Sequence, residues 1–349
     1  MYSKKNLKGL KTPKEIVIEN LSDYIKHFSN DKLKNYIYRG ESANYSEIIS
    51  SALRKKEYPF IKMKDEFKKE IFHKLNKNEH ENFLAFSQHH GIPTNLIDFT
   101  TSPLIALFFA CYGNDSEEVG FVYLLKDDFI DLNEVFFKTE DQNIINLFIE
   151  NENNIMLDFY KEFIEYENRN PEKFYYYFKN LYEDKKYYLS NKIRLPKYDD
   201  KNYKKNVKFN YINEQIYKEL ICEIENKRYK LDLVVLEYLL ELQNFLSRIK
   251  EEEIPAWWIN CVPNFRYNPI LTFERCRNQC GLFIYQAYLS YNEFLYNSKV
   301  VSQQRIWPDI VLVIKNKKQI LKDLDTIGIN EKYIYNDYDS IAKYIKNKY

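Results

Sequence analysis

LIDFTTSPLIALFFACYG, residues 96–113, is the stretch from which the fold can be read. A short apolar run from Leu96 to Phe99 leads into Thr100-Thr101-Ser102, and Pro103 then opens a mostly apolar segment that continues to Tyr112. The run reads as a buried strand. Ser102 can accept a hydrogen bond from a backbone N–H at the start of a helix. Pro103 lacks an N–H that the first helical turn would leave without a partner anyway, so together they predict a helix over 103–112. No Glu or Gln stands at 105, which leaves the cap without a capping box. A strand feeding directly into an apolar helix implies a sheet with helices packed on it.

The neighbouring segments supply the rest of that sheet. YIYRGE at 36–41 reads as a strand closed by a glycine, and GFVYLL at 120–125, GLFIYQAY at 281–288 and DIVLVIK at 309–315 are short apolar runs of strand type. The predicted strands are 36–39, 95–99, 120–125, 281–287 and 309–315, with helices at 66–86 and 103–112 packed on them. Ile16, Val17, Leu21, Ile25 and Phe28 fall at helical spacing, which predicts a helix in 15–34, and short helices are expected at 317–326 and 338–347. Residues 127–253 have a different texture, rich in charge, Asn and Tyr. Their clearest pattern is a helical stripe of Leu231, Val235, Leu239, Leu242, Leu246 and Ile249. The expected fold class is therefore α+β, with a small mixed sheet and packed helices built from 1–126 and 254–349 and a mainly helical insertion at 127–253.

Composition narrows the function. Lys+Arg total 52 against 51 Asp+Glu, a net charge of +1, which argues against a dedicated nucleic-acid binder dependent on phosphate neutralisation. The aromatic stripe from Phe174 to Phe178 and the Trp257-Trp258 pair read as packing surface; a nucleic-acid partner is compatible with them but is not indicated. Five cysteines without a CxxC pair suggest neither a disulfide framework nor a zinc ribbon. The N-terminus shows no apolar signal core, and the run from Leu104 to Tyr112 is far short of the ~20 residues of a membrane span, so a soluble cytoplasmic protein with no membrane partner is expected. The 32 Tyr and 24 Phe fit an AT-rich coding sequence. With only 7 Gly, the positions of Gly40, Gly91 and Gly281 become markers of demanding backbone geometry.

The densest polar cluster is QHHGIPTNLIDFTTS, 88–102, with two of the five histidines. His89 and His90 are adjacent and point in different directions on a strand or a helix, so no metal site is expected. Tyr38-Arg39-Gly40, Gln88-His89-His90-Gly91-Ile92-Pro93-Thr94, Leu96-Ile97-Asp98-Phe99-Thr100-Thr101-Ser102-Pro103-Leu104 and Ala106-Leu107-Phe108-Phe109-Ala110 together resemble the FRG-domain family, named for its (Phe/Tyr)-Arg-Gly signature. Arg275, Asn278-Gln279, Gly281 and Phe283 resemble that family's later Arg and Gln-x-Gly-x-Phe pattern. The resemblance frames about 36–345, with 127–253 as its poorly matching middle.

A weaker resemblance concerns mechanism. Arg-Gly on a first strand, then a strand ending Thr-Thr-Ser-Pro and a helix of Leu-x-Ala-Leu-x-Phe-Ala form, is similar to the arginine and Ser-Thr-Ser elements of arginine-type ADP-ribosyltransferases. Those enzymes use NAD without a G-x-G-x-x-G fingerprint, and none is present here. The resemblance implies an NAD-using ADP-ribosyltransferase-like enzyme, in the setting of a bacterial toxin or anti-phage effector, with an unknown macromolecular acceptor. The alternative is a non-catalytic nucleotide-sensing or partner-binding module.

On this reading Arg39, Gly40, Gln88, Thr101 and Arg275 bind the nucleotide, and His89, Asp98 and Gln279 serve the chemistry. The glutamate usual in such transferases is replaced by Gln279, which can hydrogen-bond but cannot act as a general base. Glu274, Asp98 and Glu41 are the candidates to substitute for it. Hydrolysis by His89 with Asp98 as its orienter lacks an evident nucleophile. Purely structural roles are also open: Arg39 paired with Glu41, Ser102 as a cap, Asp98 in a turn, and Gly91-Ile92-Pro93 as a tight turn.

Overall fold

The computed structural model describes residues 12–29, 33, 35–45, 47–55, 58–114, 116–126, 128–139, 142–189, 214–258, 260–269, 274–290 and 300–349. Its strands are β1 (Lys14–Ile18), β2 (Tyr36–Glu41), β3 (Leu96–Thr100), β4 (Gly120–Lys126), β5 (Ile130–Asp131), β6 (Trp257–Trp258), β7 (Phe265–Tyr267), β8 (Gly281–Tyr285), β9 (Tyr288–Ser290), β10 (Val300–Gln304) and β11 (Ile310–Ile314). Eight of them form one mixed sheet in the order β1-β11-β4-β2-β3-β8-β7-β5, and β6-β10-β9 form a second, three-stranded sheet. The centre of the large sheet is antiparallel, while its outer pairs, β1 with β11 and β5 with β7, are parallel. The α+β class expected from the sequence holds, with a larger sheet than expected.

The helix Pro103–Cys111 begins as the sequence predicts, with Pro103 in the first turn and the Ser102 hydroxyl accepting from the Ile105 N–H. It lies on β2 and β4 so closely that a Cβ on Gly40 would stand 1.9 Å from Ala106 O, and one on Gly120 1.9 Å from Ala110 O. Glycine on the strands and alanine on the helix are what permit this contact. Gly91 also needs its glycine, at φ +86°, to end the helix Phe83–His89. Gly281 does not fit the expectation for rare glycines, since an added Cβ would meet only Cys276 O at 3.6 Å.

Three other expectations change. The helix expected in 15–34 is a strand, β1, followed by the helix Leu21–Phe28. Asn20 caps that helix by accepting from the Asp23 N–H at 2.8 Å. The helix expected at 66–86 is broken into Phe60–Ile71, a short 3-10 turn, Lys77–Glu81 and Phe83–His89. The strand expected at 281–287 stops at Tyr285, and Tyr288–Ser290 joins the small sheet.

The core surrounds the large sheet. Ile105 to Phe108, Val122, Leu124, Leu312 and Ile320 fill one face, and Ile37, Ile97, Phe99, Phe121, Tyr123 and Val313 fill the other. Beyond β8, the helices Asn133–Thr139, Ile144–Glu150, Ile155–Arg169, Pro171–Tyr188 and Leu233–Glu251 pack into one apolar cluster that also contains Phe265, Tyr267, Phe283 and Tyr285 of β7 and β8. Phe174, Phe178 and Trp258 are buried in it.

Candidate functional site

The large sheet splits at one place. β2 pairs with β4 from Tyr36 to Glu41, and β3 pairs with β8 from Leu96 to Thr100, but β2 and β3 meet only at Tyr38 opposite Thr100. Where two strands diverge, their facing backbone groups need other partners. Arg39 supplies one. Its Nη1 donates to the Asp98 carbonyl at 2.8 Å across the gap, while its Nε donates to Glu41 Oε1 at 2.8 Å. Burial pulls the guanidinium toward neutrality, but the Glu41 and Asp98 carboxylates outweigh that and raise its pKa, so it stays charged. The pairing with Glu41 considered from the sequence is therefore present, and it leaves Nη2 without a hydrogen bond among the described residues.

Beside the split lies a cleft of about 410 Å³, within the size range of small-molecule sites. Arg39, Gly40, Gln88, His89, Asp98, Arg275 and Gln279 all line it, although they come from segments up to 240 residues apart in the chain. Gln88 Nε2 donates to Asp98 Oδ1 at 2.8 Å and its Oε1 accepts from Thr94 Oγ1, which fixes the carboxylate against the helix Phe83–His89. Burial first, and then the charges of His90 and Arg275, push the His89 pKa down to about 4, so its ring is neutral at pH 7. His90 packs against Phe86, with ring centroids 4.4 Å apart. The Arg275 guanidinium lies 4.9 Å from the centroid of the Tyr335 ring, a cation–π contact that orients it. Gln279 holds the far wall: its backbone carbonyl accepts from Thr100 Oγ1 at 2.7 Å and its Nε2 donates to Ile334 O at 3.4 Å.

Thr101 is not among the residues lining the cleft. It is exposed, and its N–H donates to Cys280 O at 3.1 Å. Side chains alternate along a strand, so Asp98 and Thr100 share a face that Thr101 does not. Thr100 lines the cleft instead, and counting by twos from Asp98 would have found it. Tyr38, Gly91, Phe99, Phe109, Cys276 and Phe283 complete the wall; all but Cys276 belong to the motifs quoted from the sequence, though none had been assigned a role in the site. Glu41 is buried behind Arg39 and outside the lining, and the Glu274 side chain is outside what the structure describes.

Residues 34–118 match the model of the FRG domain. The matched segment carries Arg39, Gly40, Gln88, His89 and Asp98, and it ends before Arg275 and Gln279, which β8 brings to the same cleft. No curated protein and no solved structure matches the chain. Among the described residues, no helix is long and apolar enough to cross a membrane.

Proposed function

We propose that the cleft beside the split binds an NAD-type dinucleotide and carries out ADP-ribosyl transfer to a macromolecular acceptor. The observation that carries this reading is the meeting of two arginines, Arg39 and Arg275, with one carboxylate, Asp98, in a single cleft without a glycine-rich phosphate loop. Arg39 Nη2 and Arg275 suit the pyrophosphate, since guanidinium groups hold phosphate oxygens through paired charged hydrogen bonds. Tyr38, Phe109 and Phe283 offer apolar ring surface for a base. In the transfer, the bond between the ribosyl C1′ and the nicotinamide nitrogen breaks, and its electron pair leaves with neutral nicotinamide. The oxocarbenium-like C1′ then bonds to the acceptor nucleophile, whose proton goes to a base. Asp98 is the only carboxylate among the described residues lining the cleft, and it fits both the stabilising charge and the base. On this reading Gln279 and the neutral His89, which both line the cleft, hydrogen-bond the ribose. All five cysteines are free thiols, in keeping with a cytoplasmic setting such as that of a toxin or anti-phage effector.

A second reading is a nucleotide-sensing module. It is favoured by Gln279, which the resemblance aligns with the transferase glutamate and whose amide already donates to Ile334 O. The test incubates the purified protein with NAD and measures binding by calorimetry and free nicotinamide by mass spectrometry. Nicotinamide release that is lost in Asp98→Asn, with binding kept, is the expected result. Binding without release by the unmodified protein would make it a sensing module, and absence of NAD binding would overturn the transferase reading.

A further inference from the structure

A second cavity of about 230 Å³ adjoins the cleft and shares Arg39, Gln88, Gly91 and Asp98 with it. Its own walls come from the chain that follows β2: Ile49, Ser50, Ser51 and Arg54, together with Ile92, Leu96 and Ile97. Two of these groups are uncommitted. Arg54 is exposed and makes no hydrogen bond or ion pair among the described residues. Ser50 is only 2% exposed, yet its hydroxyl is buried with no hydrogen-bond partner, while its backbone N–H donates to Gln286 Oε1 at 2.9 Å. A buried hydroxyl without a partner is costly, and such groups are few in native proteins. Ser51 is already engaged with Thr94 through its Oγ. The charge of Arg39 is matched by Glu41, whereas no carboxylate among the described residues is paired with Arg54.

We propose that this smaller lobe is a phosphomonoester subsite, in which Arg54 holds the phosphate oxygens and the Ser50 hydroxyl donates to one of them. The proposal rests on the cleft taking a nucleotide, but not on the transfer step. With Arg39 at the waist between two lobes, a dinucleotide whose pyrophosphate lies at Arg39 would place its second nucleoside toward Arg54. The phosphomonoester belongs either to that nucleoside or to a separate phosphate-bearing acceptor.

Two titrations distinguish these sources. The first compares AMP with adenosine 2′,5′-bisphosphate, which differ only by the added phosphate. The second adds inorganic phosphate to protein saturated with NAD. Tighter binding of the bisphosphate by about tenfold or more, the size of a charge-assisted contact, would put the phosphate on the nucleotide. Phosphate binding alongside NAD, without displacing it, would assign the phosphate to a second molecule. Either gain must disappear in Arg54→Gln, a change at an exposed side chain that should leave the melting temperature unaltered. NAD binding with neither gain would overturn the subsite and leave the main-cleft reading standing, and a gain that persists in Arg54→Gln would overturn it too. A gain without nicotinamide release would support the subsite and remove only the transferase reading. Failure of the protein to bind NAD, AMP or phosphate would overturn both.

Discussion

Arg39 has structural work and an open donor group at once. It neutralises Glu41 and satisfies the Asp98 carbonyl at the split, so Arg39→Ala leaves a carboxylate that is 6% exposed with no cation paired to it among the described residues. Losing one partner of a buried pair typically costs about 3–5 kcal/mol, and urea melts should show a loss of that order. The paired change Arg39→Met with Glu41→Met removes both charges and should recover most of the stability without recovering nucleotide binding. Recovery of both would mean that the arginine serves the fold alone. Arg39→Lys should also lose affinity, because one ammonium cannot span Glu41, Asp98 O and a phosphate together. His89 makes a separate prediction about pH. Its folded pKa of about 4 lies below the ordinary 6.5, so the unfolded chain binds more protons between these values. The stability present above pH 6.5 should therefore decline as pH falls toward 4. The melting temperature of His89→Gln should decline less over that window, and equal slopes would show that folding does not lower the pKa of this ring.

Among the elements, the helix Pro103–Cys111 shows most directly how local sequence sets packing. Its start was legible because Ser102 and Pro103 act within one turn, and the position of Gly40 in the Tyr-Arg-Gly signature is explained by Ala106 and Ala110 across the contact. Gly40→Ala puts a methyl group 1.9 Å from a backbone oxygen, which no side-chain rotation can relieve. Overpacking of this kind costs roughly 1–3 kcal/mol, and the upper part of that range is expected here in thermal melts. A melting temperature equal to wild type would mean that helix and strand are not in this contact. β1 was not legible for a different reason. Ile16 and Val17 share helical spacing with Leu21, Ile25 and Phe28, but Lys14–Ile18 is held by parallel pairing with Ile310–Ile314, a contact nearly 300 residues away that spacing cannot reveal. The local sign of the break was Asn20, whose side chain caps the helix that follows.

At the scale of the molecule, the same distinction explains what could be read of the site. Gln88, His89 and Asp98 sit in one compact motif and could be grouped by eye, whereas Arg39 and Gln279 join them only because the sheet order places β2, β3 and β8 side by side. Sequence also suggested a helical insertion at 127–253, and whether those helices fold as a unit of their own is open to measurement. Their apolar cluster is continuous with the sheet: Phe136, on the helix Asn133–Thr139, stands 4.4 Å from the Tyr267 ring and 4.9 Å from the Tyr285 ring. Residues from both regions thus bury the same surface, and exposing either would expose the other. The expected behaviour is one cooperative unfolding transition, with coincident midpoints by far-ultraviolet circular dichroism, which reports mainly the helices, and by near-ultraviolet signals from the aromatic core. Phe136→Ala should cost about 3–5 kcal/mol and shift both midpoints together. Two separate transitions, with only the helical one moved by Phe136→Ala, would instead identify 127–253 as an independent subdomain resting on the edge of the sheet.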